Sequence, residues 1–557
     1  MGKKRAAVFS LTMLSVLILA AIYSIPASAQ ATPGAPQVIS NAVANDPIAF
    51  DVSPPLREMA ATAASQVSGF QLMPPVRRPK LQQLKAAAQG GAAFGSAPGM
   101  LTGPAINVSV PVNVDGINGI PNNPPLGCPS ISGAQVAPPD TNMAVGDTQV
   151  VQWVNLCYAV FSKASGALIA GPFKGNAFWV NMKSSCTTAN AGDPIIQWDK
   201  ANHVWVATQN VFAPYLTCVA VSTTADATGT YNRYAFLQPG FPDYPKWGLT
   251  PGVYYQTQND FGANDGFQGV NVCAYDAVAM LAGRKARQVC ILDNSNGTLF
   301  DDSMLPADND STGGAAPSEV LLGSIDNPGF NNAVYEYVFT VNFKKGTATL
   351  SGVNGSMPIA VTAFNLACGG GACIPQPSAG SERLDSLGDR LMYRLARFDD
   401  GTNQHFLVTH SVQDTAATAA RWYEFRASSG STGLSLYQSG QTPDDREYRW
   451  MGSVARDKLG NIALGYSRSS AAAGDYPSIY LSGQTAGEPA GTTDAESLIF
   501  AGSGSQFRTG NRWGDYSGMA LDGADGCTFW YTTEYYKTDG SFAWSTRMAE
   551  IKFPNCP

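Results

Sequence analysis

The sequence predicts an all-β protein built as a β-propeller of sialidase-like type, with seven blades counted and six as the competing number. Three observations carry this. First, a hairpin unit recurs. Tyr448-Arg-Trp-Met-Gly-Ser-Val-Ala-Arg-Asp-Lys-Leu-Gly-Asn-Ile-Ala-Leu-Gly-Tyr-Ser467 runs apolar, turns between Asp457 and Asn461 and returns apolar, as a β-hairpin does. The unit returns at Asn511-Arg-Trp-Gly-Asp-Tyr-Ser-Gly-Met-Ala-Leu-Asp522 ahead of Cys527-Thr-Phe-Trp-Tyr-Thr532. Looser copies stand at Asp243-Tyr-Pro-Lys-Trp-Gly248 and Asp389-Arg-Leu-Met-Tyr-Arg394. A repeat spaced by roughly forty to seventy residues marks small antiparallel sheets set around an axis. Second, helical periodicity is nearly absent outside the leader and the segments 56–68 and 81–88. Third, charged residues are only 14% against 44% hydrophobic, and the Gly, Ser, Thr, Asn and Tyr that fill the gap suit short strands joined by turns.

In chain order, Lys3-Lys4-Arg5 precede an apolar run from Ala6 to Ile25 and then Pro26-Ala-Ser-Ala29. This is the basic, apolar and small-residue order of an export signal cleaved before Gln30; an uncleaved anchor is the alternative. The expected domains are a signal peptide at 1–29, a low-complexity linker or pro-segment at 30–105 and the propeller at 106–557. No stretch after the leader is apolar enough to span a membrane, so the protein is expected in the periplasm, at the cell surface or secreted. The formal charge is −7, and removal of the three leader cations makes it −10. An acidic chain without Lys/Arg runs excludes nucleic acid and anionic membrane as natural partners.

Within the linker, Pro54-Pro55, Pro74-Pro75 and Pro79 interrupt helices. Ile106-Asn-Val-Ser-Val-Pro-Val-Asn-Val114 alternates at period two, as a ring-closing strand would. Blade-like groups then begin at Pro138-Pro-Asp-Thr-Asn142, Asp193-Pro-Ile-Ile-Gln-Trp-Asp199, Asp243, Ser318, Asp389, Arg449 and Arg512. A Gly/Asp/Asn/Ser-rich loop, 293–316, interrupts them.

Ten cysteines, an even number, fit an oxidising destination. Cys368 with Cys373 across three glycines, and Cys527 with Cys556 at the chain's end, are the first pairings. Cys186 with Cys218, Cys273 with Cys290 and Cys128 with Cys157 complete the set. With no Cys-x-x-Cys and three histidines, a cysteine metal site is disfavoured. No cofactor is expected; Asp308-Asn-Asp-Ser311 and Asp522 to Asp525 are the loops that offer calcium-type oxygen ligands.

Taken together, Pro138-Pro-Asp-Thr-Asn142, Asp193-Pro-Ile-Ile-Gln-Trp-Asp199, Val221-Ser-Thr-Thr-Ala-Asp-Ala-Thr-Gly229, Asp243-Tyr-Pro-Lys-Trp-Gly248 and Arg512-Trp-Gly-Asp-Tyr516 resemble a family of uncharacterised secreted bacterial proteins with a sialidase-like propeller fold. The resemblance covers about 125–557 and implies fold and export. Thr224-Ala-Asp-Ala-Thr-Gly-Thr-Tyr231 also resembles a degenerate sialidase Asp box, a turn-stabilising element remote from catalysis.

A propeller's innermost strands run along its axis, so residues at their starts converge on one rim. On that ground Asp140, Asp243, Lys246, Asp389, Arg390, Arg394, Arg449, Arg512 and Asp515 form the candidate ligand-binding rim. Its arginines would grip oxyanions and its aspartates would serve glycosidic acid–base chemistry. The plainer reading is that these charges bond to neighbouring blades and close the ring. No catalytic residue is assigned. Glu534 beside Tyr535 and Tyr536, and Tyr423 beside Glu424, are the nearest approaches to a sialidase Tyr–Glu pair, but neighbours on a strand face opposite ways. His203, His405 and His410 show no triad spacing. Trp247, Trp450 and Trp513 occupy one place in three copies, which suits packing; on an exposed rim they would stack on sugars.

The expected function is an exported propeller that binds an extracellular glycan or protein through the rim. A sialidase-like glycoside hydrolase and a non-catalytic surface or adhesion protein are the alternatives.

Overall fold

The computed structural model describes residues 35–60, 71–72, 101–120, 123–129, 136–262, 266–295, 301–311, 318–324, 331–378 and 380–557. The leader expected at 1–29 and the helix expected at 81–88 lie outside them. The described chain is almost entirely strand, arranged as successive antiparallel sheets of mostly four strands. The sequence dictates this directly: apolar, β-branched and aromatic runs alternate with Asp/Gly/Asn turns, and each run is bonded to the next.

We label the strand that leads each sheet: β1 (Asn142–Val145), β2 (Ile195–Asp199), β3 (Phe241–Thr250), β4 (Leu305–Asn309), β5 (Met392–Asp399), β6 (Tyr448–Arg456) and β7 (Gly518–Leu521). Each contacts the next in order, and β7 contacts β1. The sheets therefore stand around a common axis as a β-propeller. Ala307 to Asn309 of β4 pair in parallel with Leu395 to Arg397 of β5, which fuses two sheets into one. Whether the count is seven or six turns on where that fused sheet is divided.

The hairpin turns repeat one device. The Asp457 carboxylate accepts the Leu459 and Asn461 backbone N–H groups, both at 2.8 Å. Asp199 does the same for Ala201 and Asn202, at 3.0 and 3.1 Å. These Asx-type bonds give the turn a local partner. The Asp-box-like segment is also a turn: Asp226 accepts the Thr228 N–H at 2.9 Å, and the Tyr231 hydroxyl donates to the Ala227 carbonyl at 2.8 Å.

Ring closure uses the strand the alternation predicts and carries it further along the chain. Asn113–Asn118 pairs with Trp544–Ile551, and before it the Val112 carbonyl accepts the Glu550 N–H at 2.8 Å and Ser109 bridges to Lys552. Alternation is shared by any half-buried extended segment, so it could not fix where the pairing ends. The segment expected as a linker differs more. Val38–Ile39, Val43–Asn45 and Ala49–Val52 each add an outer strand, to the sheets of β4, β3 and β2 in turn. Leu56 and Met59 of the short helix that follows are buried in a core cluster, and Leu101–Ala105 pairs with Thr492–Ala495. The prolines that break helices in this segment leave edge pairing untouched.

All ten cysteines are paired, as Cys128–Cys157, Cys186–Cys218, Cys273–Cys290, Cys368–Cys373 and Cys527–Cys556. Five disulfides suit an oxidising compartment. Among the described residues no helix is long and apolar enough to cross a membrane.

Candidate functional site

The sequence places a backbone irregularity where the leading strands begin. Asp140, Asp193, Tyr244, Ser303, Met451 and Asp515 all take positive φ, between 47° and 60°. None is glycine, so the surrounding sheets hold these residues in a sparsely populated region, as is common at functional sites. In β3 and β6 the irregularity is a bulge, between Asp243 and Lys246 and between Trp450 and Ser453.

Five of the nine rim candidates meet there, and Asp193 joins them. Asp140 is buried, and burial together with Asp193 and Asp515 drives its carboxyl well above the usual range. One carboxylate oxygen accepts the Asn155 amide at 3.0 Å. Asp193 is pushed up to about 7 by burial and by Asp243. Asp193, Asp243 and Asp515 remain partly exposed, so solvent reaches the cluster through them. Arg512 pairs with Asp515.

Lys246 is the cation at the centre. It is 1% exposed, and burial pushes its ammonium down to about 7 although Asp193, Asp140 and Asp515 oppose this. Nζ lies 3.5 Å from the Tyr244 ring centroid and 3.9 Å from that of Tyr516, and it donates to the Pro245 carbonyl at 2.9 Å. Two ring faces thus replace much of the water lost on burial. Tyr393 packs 5.8 Å from Tyr516, centroid to centroid. Asp193, Tyr244, Tyr393 and Tyr516 are not among the sequence candidates. Asp193 could have been found, because it opens a blade-start run as Asp140 and Asp243 do. The tyrosines carry no signal separating them from core aromatics.

The other candidates are placed differently. Arg390 is bound bidentately by its neighbour Asp389, at 2.8 and 2.9 Å, with its guanidinium 4.6 Å from the Tyr244 centroid; the pair flanks the cluster. Arg394 belongs to a second set further along the axis. It binds Asp308 at 3.1 Å, Asp310, and the Met519 carbonyl at 2.8 Å, while Lys200 binds Asp310 at 2.9 Å. The cavity beside this set is about 20 Å³, room for about one water, so the axial channel is closed here. This ion-pair set also engages Asp308 and Asp310, the first loop considered for calcium. In the second such loop, Asp525 binds the Cys527 and Thr528 N–H groups, both at 2.9 Å, as a turn residue does.

Arg449 does not join the rim. It is fully buried and binds Asp445 at 2.7 Å and Glu496 at 2.8 Å. Arg512-Trp-Gly-Asp515 carries its own acid three residues on; Arg449-Trp-Met-Gly452 does not, so Arg449 reaches its acids elsewhere. Trp247, Trp450 and Trp513 are buried, with Trp450 and Trp513 packed 5.7 Å apart, and offer no sugar platform. The Tyr535 hydroxyl donates to Asp115 at 2.7 Å and that of Tyr536 to Gln506 at 3.0 Å, while Glu534 accepts the Gly514 N–H at 2.7 Å. Glu424 is bonded to His405 at 2.7 Å, and the Tyr423 hydroxyl pairs with His410 at 3.0 Å. Neither Tyr–Glu neighbourhood assembles a nucleophile pair.

No protein-family model matches the chain, and no curated protein matches it in sequence. Among solved structures it is similar to the WD40 domain of SCAP from fission yeast, at 11% identity and TM-score 0.31, covering 73% of this chain and 82% of that one. It is also similar to the polysaccharide lyase Uly1, at 10% identity and TM-score 0.36, covering 75% and 90%. A mutant of Trypanosoma rangeli sialidase displaying trans-sialidase activity matches at 10% identity and TM-score 0.29, covering 64% of this chain and 53% of that one. At such identities and TM-scores these likenesses do not bear on activity.

Proposed function

We propose that the protein is an exported propeller that binds an extracellular glycan at the rim where the leading strands begin, and that this glycan is uncharged. The observation that carries the reading is charge pairing. Arg390, Arg394, Arg449 and Arg512 are each bonded to a carboxylate, so no rim arginine is available for a sialic or uronic acid. The partly exposed groups are Asp193, Asp243 and Asp515, and carboxylates accept hydrogen bonds from sugar hydroxyls well. Titration calorimetry against neutral and sialylated oligosaccharides tests this. Asp193→Asn and Asp243→Asn should each weaken neutral-glycan binding about tenfold or more, the worth of a hydrogen bond to a charged acceptor. Tighter binding of the sialylated series would overturn the reading.

A second reading, glycoside hydrolysis, is favoured by one observation: Asp193, at about 7, holds a proton near neutrality beside Asp243, as an acid–base pair requires. Release of new reducing ends by the wild type, lost in Asp193→Asn, would decide for it; intact oligosaccharide after prolonged incubation decides for binding alone.

A further inference from the structure

At the edge of the rim two acids touch each other where an ion pair would be expected. β6 pairs with the strand Ile462–Ser469, with Tyr448 opposite Ser469, so the loop 470–476 leaves this sheet at its rim end. Ser469 donates to the Pro375 carbonyl at 2.9 Å, and Ser467 accepts from the Trp513 indole at 3.3 Å. The base of the loop therefore adjoins the Arg512 to Asp515 stretch. Ala471 to Gly474 are exposed, and Asp475 ties the loop back to the sheet.

The carboxyl of Asp475 is hydrogen-bonded to that of Glu447, the residue before β6. Arg446, held at φ 76°, turns the chain into Glu447, a strained conformation of the kind found at switch segments. Glu447 Oε2 and Asp475 Oδ2 are buried and take no N–H or O–H donor from the rest of the protein. Two carboxyls in hydrogen-bond contact need a proton between them, and like charges so close do not both ionise readily. The pair shares one proton.

The surrounding charges do not replace that proton. Arg468 binds Asp475 at 3.3 Å and lies 3.8 Å from Glu447, but it also binds Glu496. Arg449 is divided between Glu496 and Asp445. Two guanidinium groups thus face four carboxyls, while the Tyr466 hydroxyl donates to Glu496 at 2.7 Å and the Arg468 guanidinium stacks 4.1 Å from the Tyr480 centroid. With the proton the set carries one excess negative charge, and without it two. Burial and the Asp475 carboxylate push Glu447 up to about 7 although Arg468 opposes this. Both acids are partly exposed, so the proton exchanges with water.

We propose that the Glu447–Asp475 contact is a proton-operated latch. The shared proton holds the loop 470–476 against the start of β6; its loss to water leaves two carboxylates in contact, and their repulsion swings the loop off the edge of the rim. The latch is independent of what the rim binds.

Spin-label spectroscopy on the full mature protein tests this. All ten cysteines are paired, so Ala472→Cys supplies a single thiol for a nitroxide. Leu459→Cys, at the opposite turn of the same sheet and 40% exposed, is the control. The ratio of mobile to immobile label at Ala472→Cys should rise about tenfold from pH 6 to pH 8.5, as linkage to a proton held near 7 in the closed state requires, with no change at the control. Glu447→Gln, whose amide donates to Asp475 without a charge, should keep the loop closed at both pH values. On unlabelled protein, elastase, which cuts after alanine, should cleave within 471–473 about tenfold faster in the wild type than in Glu447→Gln at pH 8.5. Constant mobility from pH 6 to pH 8.5, an equal rise in Glu447→Gln or at the control site, or equal cleavage of the two proteins overturns the proposal.

Discussion

Lys246 shows what a single residue does at the rim. An ammonium this deeply buried is costly alone, and the aspartates around it are costly without it; each stabilises the other only while both are charged. Lys246→Met keeps the packing between the tyrosine rings and removes the cation. We expect a loss of about 3 kcal/mol in urea unfolding at pH 6, where the ammonium holds its proton, and a clearly smaller loss at pH 8, where it has largely given that proton up. Equal losses at the two pH values would mean that Lys246 acts by filling space. The sequence made Lys246, Asp140, Asp243, Arg512 and Asp515 legible as one rim because each opens a repeated unit. It hid the aromatic cage, since Tyr244 and Tyr516 look like any core aromatic until the strands are closed into a ring. It also misled on Arg449, whose Arg-Trp neighbourhood copies that of Arg512 but lacks the acid three residues on.

At the level of elements, the ring is held by side chains that reach from one sheet to the backbone of the next. Asn142 donates to the Pro194 carbonyl at 3.0 Å and accepts the Ile196 N–H at 2.9 Å, and Gln197 donates to the Trp247 carbonyl at 2.8 Å. Gln152 does this at the closure. Its oxygen accepts the Ile117 N–H at 2.8 Å, and its nitrogen donates to the Thr532 and Thr546 hydroxyls at 2.8 and 2.9 Å. One fully buried amide thus binds the first sheet, the last sheet and the closing strand. Gln152→Ala leaves the Ile117 N–H buried without its partner and should cost about 2–4 kcal/mol in urea unfolding. A loss under about 0.5 kcal/mol would show that backbone pairing alone closes the ring. The strands and turns were legible because apolar runs and Asp-initiated turns are local signals, and all five disulfides followed from where the cysteines fall along the repeated units. The part of the closing strand beyond Val114 and the edge strands within 38–52 were not legible. Their partners lie hundreds of residues away, and no local pattern specifies a distant edge.

For the molecule as a whole, a core of scarce but buried charge sets an unusual pH dependence. Burial, aided by a neighbouring carboxyl in four of the five, pushes Asp193, Asp260, Asp301, Glu447 and Asp494 up to about 7. Each binds a proton in the folded state over a range where the unfolded chain has released it. Their contribution is fully present below the unfolded carboxylate value and is lost as pH rises to about 7. Glu424 runs the other way. Despite burial, hydrogen bonds from His405, Arg426 and Gln438 hold it down to about 2, so its contribution is present above its unfolded value and is lost as pH falls towards about 2. The raised groups outnumber it in the window between, so the melting temperature should peak near about pH 5 and fall towards pH 7. Asp260 isolates the effect: it is 1% exposed, and one of its oxygens has no hydrogen-bond partner. Asp260→Asn imitates the protonated carboxyl, so it should raise the melting temperature at pH 8 and leave it nearly unchanged at pH 5. Calorimetric scans of wild type and variant across this range decide the matter. A wild-type melting temperature that climbs steadily from pH 5 to pH 8 would mean that the buried carboxyls are charged in the folded state.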